Sequence, residues 1–197
     1  MVHKFIQVAI AASSNPKPLP KAVEKTVKFA RKLTKYKDEV VLFTGGGGGL
    51  MTIASREFSK SGGIVIGFIP LEMEHITIGH PRWHPYNTIE IFSSLSFQAR
   101  SVPMVRSSDV LVCLGGEAGT LIEVLIAYLN AKPVIVITDT GYLTDKLQLL
   151  VDKEGYIDSR KTTKIVFEKD PEKAAEKAYK LGKQHLEEKQ GKIRLES

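Results

Sequence analysis

The sequence is poor in cysteine and has no long apolar run. Its 197 residues include one cysteine, Cys113, so an internal disulfide is impossible and a cysteine-based metal site is not expected. No apolar run approaches the ~20 residues that a membrane-spanning helix needs, and the first residues do not resemble a secretion signal. We therefore expect a cytoplasmic protein that does not enter a membrane, with Cys113 buried as a small hydrophobic residue.

Positively charged residues outnumber negatively charged ones only modestly. The chain has 28 Lys and Arg against 22 Asp and Glu, a net charge of +6, and 43% of its residues are hydrophobic. A basic chain can bind nucleic acid, but many lysines lie in residues 21–37 and 173–189, which are typical of solvated helix faces. The composition favours a globular domain whose positive field attracts anionic small molecules, and it argues against a nucleic-acid surface.

Short apolar runs alternate with helical patterns along the chain. Five runs, at residues 5–11, 40–43, 64–69, 110–114 and 134–137, are apolar rather than alternating, as in parallel strands covered on both faces. Residues 89–92 and 164–167 are weaker strand candidates. Helical periodicity predicts helices at residues 20–36, 50–61, 120–130, 144–154 and from Pro171 onward, with Asp170 as the N-cap of the last. The alternation predicts an α/β fold, a Rossmann-like, doubly wound, mostly parallel sheet with helices on both faces. We expect one nucleotide-binding domain over residues 1–186, followed by a polar tail at 187–197.

Two glycine-rich loops each follow a predicted strand and precede a predicted helix. The first consists of Gly45, Gly46, Gly47, Gly48 and Gly49. Glycines let backbone N–H groups converge, and a helix N-terminus adds partial positive charge, so this place suits a phosphate. A flexible strand–helix turn is the alternative. The loop is not a P-loop, because no Gly-Lys-Ser/Thr follows.

The second loop ends with residues that could carry chemistry. Its candidate phosphate-binding residues are Gly115, Gly116, Gly119 and Thr120. Thr120 could bind a ligand, or it could cap the following helix in a capping box with Glu123. Alternatively, Glu123 is a carboxylate one turn above an anion site. Arg100 could lie on the surface, or it could face the same crevice and pair with a phosphate or with Glu123.

Residues 72–87 fit neither a strand nor a helix and contain three histidines. His75, His80 and His84 have no Asp or Cys near them, so we predict no metal site and expect surface or substrate-contacting histidines. Trp83 and Tyr86 could form an apolar wall over a base or a pterin, or they could pack as ordinary core residues.

Several of these residues resemble motifs of a known family. Residues 119–123, Gly-Thr-Leu-Ile-Glu, resemble the end of the Pro-Gly-Gly-x-Gly-Thr-x-x-Glu motif of the Lonely Guy proteins, which are cytokinin riboside 5′-monophosphate phosphoribohydrolases often mislabelled lysine decarboxylases. Arg100 precedes Glu123 by 23 residues, the family's spacing, in a segment similar to its Arg-Lys-x-x-Met. Residues 45–51 resemble its Gly-Gly-Gly-x-x-Gly-Leu-Met loop, and Ser13 lies where it has Gly-Ser-Ser.

The resemblance implies a function and its residues. A Lonely Guy-like enzyme would hydrolyse a nucleoside 5′-monophosphate to a free base and ribose 5-phosphate, without a cofactor and without lysine decarboxylase activity. Glu123 and Arg100 would be catalytic, and Ser13 and Met51 would join the two loops in binding the nucleotide. Family members pair through helices beside the site, so we expect a homodimer or a higher homo-oligomer. An apolar face could come from Leu121, Leu125, Tyr128 and Leu129, which core packing explains equally well.

Three residues depart from the family's pattern. Gly115 replaces the motif proline, Glu117 replaces its second glycine and Ser101 replaces the lysine. These variants resemble a related branch, the molybdenum-cofactor carrier proteins. The alternative to a hydrolase is therefore a carrier or sensor of a phosphorylated pterin cofactor or nucleotide. A DNA-processing factor is a third class, but no cluster of base-reading residues supports it.

Overall fold

The structure, a computed structural model, describes residues 5–80 and 83–196, with side chains as far as residue 191. Within these residues seven strands form one sheet: β1 (Ile6–Ala12), β2 (Val40–Thr44), β3 (Ile64–Ile69), β4 (Ile89–Phe92), β5 (Val110–Gly115), β6 (Val134–Ile137) and β7 (Ile165–Glu168). All neighbouring strands are parallel, in the order β4-β3-β2-β1-β5-β6-β7. The predicted parallel sheet is confirmed, with each strand end within one residue of its expected place.

The helices are α1 (Pro20–Leu33), α2 (Gly49–Ser59), α3 (Ser101–Ser107), α4 (Ala118–Leu129) and α5 (Pro171–Glu196), with 3₁₀ turns at Thr34–Tyr36, Leu71–Met73 and Leu143–Leu149. Asp170 accepts hydrogen bonds from the backbone N–H groups of Glu172 and Lys173, so it caps α5 as predicted. The stretch predicted as a polar tail continues α5 as far as residue 196. None of the helices described here combines the length and apolarity needed to cross a membrane.

The helix predicted at residues 144–154 is wrong. The chain forms the 3₁₀ turn Leu143–Leu149 instead. Of the expected apolar stripe, Leu147 is buried and Val151 packs against the core, whereas Leu150 is 60% exposed. Thr144 is drawn to the second glycine loop, because its N–H donates to the Gly116 carbonyl (3.2 Å) and its hydroxyl accepts from the Gly116 N–H (3.1 Å). These tertiary hydrogen bonds override the weak local preference for an α-helix.

A hydrophobic core lies on each face of the sheet. On one face α1, α2 and α5 cover the strands with residues such as Phe29, Phe58 and Ala178. On the other face α3 and α4 pack with Met104 and Tyr128, and Cys113 belongs to this layer. Burial raises the pKa of the Cys113 thiol to about 12, so it is an inert core residue, as expected.

The strand order reverses between β1 and β5. From β1 the chain builds outward through β2, β3 and β4, then returns to add β5, β6 and β7 on the other side. Open parallel sheets hold ligands at the carboxyl ends of the strands where the order reverses. The topology therefore directs attention to the loops that follow β1, β2 and β5.

Candidate functional site at the β1/β5 crevice

The first glycine loop is held in a backbone form that favours glycine. Gly46, Gly48 and Gly49 have φ of 89°, 94° and 48°, in the left-handed region that other residues avoid. A Cβ at Gly49 would lie 2.4 Å from the Ser13 carbonyl oxygen. The loop is thus shaped by its contact with the segment that follows β1.

Ser13 connects the two glycine loops. Its N–H donates to the Gly115 carbonyl (2.9 Å), and its carbonyl accepts from the Leu50 N–H (2.9 Å) at the start of α2. Ser13 was predicted to be a site residue from the family resemblance alone. In the structure its two backbone hydrogen bonds connect the second loop, at Gly115, with the end of the first loop, at Leu50. The segment after β1 and the two glycine loops, which follow β2 and β5, therefore meet at the carboxyl ends of these central strands.

Both helices that enter the crevice lack a side-chain cap. Gly48 precedes α2 and Glu117 precedes α4, and neither helix receives a capping hydrogen bond from its N-cap side chain. The first N–H groups of a helix have no partner within the helix and carry partial positive charge. At α2 the Leu50 N–H already donates to the Ser13 carbonyl, so the N-terminus of α4, next to Ser13 and Gly116, is the place better suited to an anion.

Of the two alternatives for Thr120 and Glu123, the capping box does not form. Thr120 is the third residue of α4, and the N-cap position is Glu117, whose side chain is exposed. A Cβ at Gly116 would lie 2.1 Å from Thr120 Oγ1, so the hydroxyl packs against the loop instead of capping the helix. Glu123 is consequently free to make contacts of another kind.

Glu123 forms a buried ion pair with Arg100. Arg100 Nη1 lies 3.2 Å from Glu123 Oε1, and the Ser101 hydroxyl donates to the same oxygen at 2.9 Å. Arg100 and Glu123 are each 5% exposed. Of the two readings of Arg100, the structure supports the pairing with Glu123. Ser101, noted in the sequence as a departure from a family motif, is the third member of this group.

The group keeps unused hydrogen-bonding capacity. Both donors go to Oε1, and no described residue donates to Glu123 Oε2, while Arg100 Nε is buried without a partner. Burial raises the pKa of Glu123, opposed by the Arg100 charge and by the hydrogen bonds of Ser101 and Arg100. Burial likewise lowers the pKa of Arg100, opposed by Glu123. A buried pair with unpaired polar atoms is typical of functional sites.

Arg100 also supports the first glycine loop. A Cβ at Gly45 would lie 2.1 Å from Arg100 Nη2, so only glycine lets the guanidinium pack against the loop. Arg100 therefore contacts both the first loop, at Gly45, and helix α4, at Glu123. Met51, expected to contact the ligand, is buried in the core, and its N–H donates to the Gly48 carbonyl. Its side chain does not join the crevice.

The histidines do not form a cluster. The rings of His75 and His80 meet edge to face, with centroids 6.2 Å apart, whereas His84 stacks on Tyr86 at 5.5 Å. Among the residues that the structure describes, no three His, Cys, Asp or Glu side chains are placed to hold a metal ion. Sequence reasoning missed Asn87, whose amide Nδ2 donates to the Gly46 carbonyl at 3.0 Å; no motif or periodicity marks it.

The expected apolar face on α4 is divided between core and surface. Tyr128 is 1% exposed and belongs to the core, while Leu125 and Leu129 are 41% and 51% exposed. Ile122 on the same helix and Val102 on α3 are also exposed. An exposed apolar group of this kind is compatible with an interface between copies, and the homodimer stays a prediction that light scattering on the purified protein tests.

Fold and site together define a Rossmann-like α/β protein with two glycine loops and a buried Arg–Glu pair at its switch point. The chain belongs to the SLOG cluster4 family, which matches residues 6–175. It is 29% identical over 168 residues to the Oryza sativa subsp. japonica protein named "Probable cytokinin riboside 5′-monophosphate phosphoribohydrolase LOGL5", covering 78% of this chain. It spans 63% of the length of that relative. The resemblance to the Lonely Guy proteins is confirmed.

Solved structures give the same result for the fold. TM1055, a structural-genomics target, superposes with a TM-score of 0.79 at 30% identity, covering 89% of this chain and 99% of that one. The molybdenum cofactor binding protein from Rippkaea orientalis superposes with a TM-score of 0.71 at 25% identity, covering 90% of this chain and 97% of that one. Both branches expected from the sequence therefore contain relatives of this chain.

Proposed function

We propose that this protein hydrolyses the N-glycosidic bond of a nucleoside 5′-monophosphate, giving a free base and ribose 5-phosphate. The observation that carries the proposal is the buried group of Arg100, Ser101 and Glu123 close to the N-terminus of α4, which has no side-chain cap. That N-terminus suits the 5′-phosphate. The name of the rice relative describes a reaction of this class.

The chemistry follows from charge. When the bond between C1′ and the base nitrogen breaks, positive charge develops on the ribose, as in glycosidases. A carboxylate beside C1′ stabilises that charge and accepts a proton from the attacking water, whose oxygen forms the new bond to C1′. The proton taken from water then passes, directly or through solvent, to the departing base nitrogen, so the carboxylate is regenerated. Glu123 Oε2 is the candidate oxygen, because Oε1 holds the hydrogen bonds from Arg100 and Ser101. Water is the only co-reactant, so no cofactor is needed.

The test is base release from a panel of nucleoside monophosphates, followed by chromatography. Glu123→Gln keeps the shape of the side chain and removes its charge, so we expect turnover to fall by at least about a hundredfold while ribose 5-phosphate still binds. Glu57→Gln is the matched control, because Glu57 is also a buried carboxylate paired with arginine, but it lies in the last turn of α2, away from the glycine loops. Unchanged turnover in Glu123→Gln would refute the assignment of Glu123.

A carrier of a phosphorylated pterin cofactor is the second candidate. The Arg100–Glu123 pair is almost closed to solvent, and the Rippkaea orientalis relative is a molybdenum cofactor binding protein. A carrier would bind its ligand tightly without releasing a base. Mass spectrometry of the small molecule that copurifies, combined with the same panel, separates the two candidates: steady turnover of a nucleotide contradicts a carrier without catalytic activity.

A further inference from the structure

A cavity that is open to solvent lies at the amino ends of β6 and β7. It is enclosed by the residues that precede these two strands and by helix α5, and its volume is about 340 Å³. That volume is at the lower end of the range for pockets that hold small ligands. Its walls include Pro133, Thr162, Thr163, Leu181, Gln184 and His185. Because the glycine loops follow the carboxyl ends of their strands, this cavity is at the opposite end of the sheet from the crevice.

Lys132, which is flanked in the chain by two residues of the cavity wall, holds a buried positive charge. It is 8% exposed, and its Nζ lies 3.5 Å from His185 Nε2. In the part of the chain that the structure describes, no carboxylate oxygen lies within 4 Å of this ammonium group. Burial lowers the pKa of Lys132, and the charges of Lys189 and Arg106 act in the same direction, whereas the charge of Asp109 opposes them. A buried ammonium group without a close counter-ion gains from an anion that binds near it.

His185 contacts Lys132 and also lines the cavity. An ammonium group donates and cannot accept, so Nε2 of the imidazole is the acceptor and the neutral ring carries its proton on Nδ1. No described residue forms a hydrogen bond with Nδ1. Burial and the Lys132 charge lower the pKa of His185, and Lys189 acts in the same direction, while Asp109 and Glu188 oppose them. The neutral ring therefore has an N–H donor that is not used within the protein.

Two hydroxyl groups add to the donors of the cavity. Thr162 and Thr163 are half-buried in its wall, and neither hydroxyl forms a hydrogen bond with the residues described here. Glu188 adds an exposed carboxylate to the wall, and its Oε1 accepts a hydrogen bond from Gln184 Nε2 at 3.0 Å. Donors and positive charge therefore prevail around the imidazole, and such surroundings suit an oxyanion.

We propose that this cavity is a second ligand site, which binds a small molecule through a phosphate or carboxylate group. His185 Nδ1 and the hydroxyls of Thr162 and Thr163 donate hydrogen bonds to that group. Lys132 is a positioning residue, because its charge fixes the tautomer of the imidazole and offsets the charge of the anion. The site is independent of the proposed function, since it shares no residue with the crevice that contains Glu123.

Nuclear magnetic resonance of the histidine side chains tests the site without measuring turnover. Isotope-labelled protein is titrated with sodium phosphate and, in a second arm, with sodium acetate, at an ionic strength held constant with sodium chloride. We expect the ring signals of His185, identified by their loss in His185→Phe, to shift and reach saturation. The anion that binds more tightly identifies the ligand as a phosphate or a carboxylate. If neither titration saturates, or if sodium chloride alone produces the same shift, the proposal is overturned.

Two variants test the residues assigned to the site. Lys132→Met keeps the length of the side chain and removes its charge, so the affinity for the anion should fall about three- to tenfold. Thr163→Val keeps the shape and removes the hydroxyl, and should weaken binding about three- to tenfold. Lys25→Met is the matched control, because Lys25 is also 8% exposed but donates to the Lys169 carbonyl, beyond the carboxyl end of β7. It should bind the anion as tightly as the wild type.

A further variant distinguishes the two sites. Gly119→Ala adds a methyl group at the N-terminus of α4, where the proposed function places a phosphate, and it should leave the response of His185 unchanged. Loss of that response in Gly119→Ala would show that the anion acts from the crevice and would overturn the second site. Equal affinities in the wild type, Lys132→Met and Thr163→Val would overturn it as well, whatever the result for base release.

Discussion

In the first glycine loop, residues 46–49 all have positive φ, from 48° to 157°. In the second loop, Gly115 alone has positive φ, at 112°. The surroundings differ as well. A Cβ at Gly49 would lie 2.4 Å from the Ser13 carbonyl oxygen, whereas a Cβ at Gly119 would meet nothing within 4 Å.

The difference separates two uses of glycine. In the first loop neighbouring atoms occupy the space that a side chain would need, namely the Arg100 side chain at Gly45, the Ile69 side chain at Gly46 and the Ser13 backbone at Gly49. At Gly119 the protein leaves the space open, directly at the uncapped N-terminus of α4. Crowding by neighbouring atoms therefore accounts for glycine in the first loop but not at Gly119, where the proposed ligand phosphate would have room. Arg100 couples the two regions through Gly45 and Glu123.

The largest loss of stability is expected from removing the Arg100 side chain, which connects the two loops. Arg100→Leu leaves Glu123 buried without its charged partner, which should lower the free energy of unfolding by about 3 to 5 kcal/mol at neutral pH. Arg100 lowers the pKa of Glu123, so the variant raises that pKa further above its ordinary value. The carboxyl is then neutralised as pH falls through the raised folded-state pKa, and the loss should shrink toward acid pH.

Urea unfolding of wild type and Arg100→Leu from mildly alkaline to mildly acid pH measures this dependence. Arg31→Leu is the control, because Arg31 pairs with Glu57 while its own side chain is 68% exposed, so we expect a loss under about 1 kcal/mol. A loss in Arg100→Leu that stays constant with pH would contradict the charge-based account and indicate lost packing instead.

The second effect tests whether folding depends on the first loop. Gly49→Ala forces a residue with a side chain into φ of 48° and against the backbone of Ser13. We expect a loss of about 2 to 4 kcal/mol, independent of pH, measured by thermal or urea unfolding. Gly62→Ala is the matched control. It has φ of 84° but open surroundings, so it should lose about 1 kcal/mol from backbone strain alone, and equal losses would contradict the role of crowding.

The third effect concerns the ionisation of Glu123. The Ser101 hydroxyl lowers the pKa of Glu123, so Ser101→Ala raises it further. If the carboxylate is the active form, the acid limb of the pH–rate profile for base release should move to higher pH. Ser108→Ala is the control: Ser108 is fully buried and donates to the Val105 carbonyl. Both variants should lose about 1 kcal/mol, and a shift of equal size in Ser108→Ala would remove Ser101 from this role.

The sheet could be predicted because its signal is local. The five inner strands are buried on both faces and almost continuously apolar. The two edge strands, β4 and β7, are more exposed and were weaker candidates, yet their ends also lie within one residue of the expected places. The family resemblance singled out Arg100 and Glu123, and pairing between them was one of the alternatives left open for Arg100; the structure shows that pair. Helix α3 was missed because it has only seven residues and contains Pro103. Proline is tolerated there because it lies in the first turn.

Other parts of the site depend on contacts between distant segments. Thr144 is fixed by Gly116, so the chain there forms a 3₁₀ turn despite its helical pattern. His84 and Asn87 reach the first glycine loop from an irregular connection about forty residues further along. No periodicity encodes such a position, so the sequence could nominate His84 but could not place it beside Gly46.

The smallest change in stability is expected from a substitution at Gly119, and this substitution tests the difference between the two glycine loops most directly. Gly119→Ala adds a methyl group in open space within α4, and alanine favours a helix, so the protein should gain up to about 1 kcal/mol of stability. The same methyl group occupies the space that we assign to the ligand phosphate, so affinity for AMP and for ribose 5-phosphate should fall about tenfold. Gly191→Ala in α5 is the control, since its surroundings are equally open and it lies in a different helix. It should gain stability without changing affinity in calorimetric titrations. If Gly119→Ala binds both ligands as tightly as the wild type, the space beside Gly119 does not hold the phosphate, and the two loops do not differ in the way inferred from their glycines.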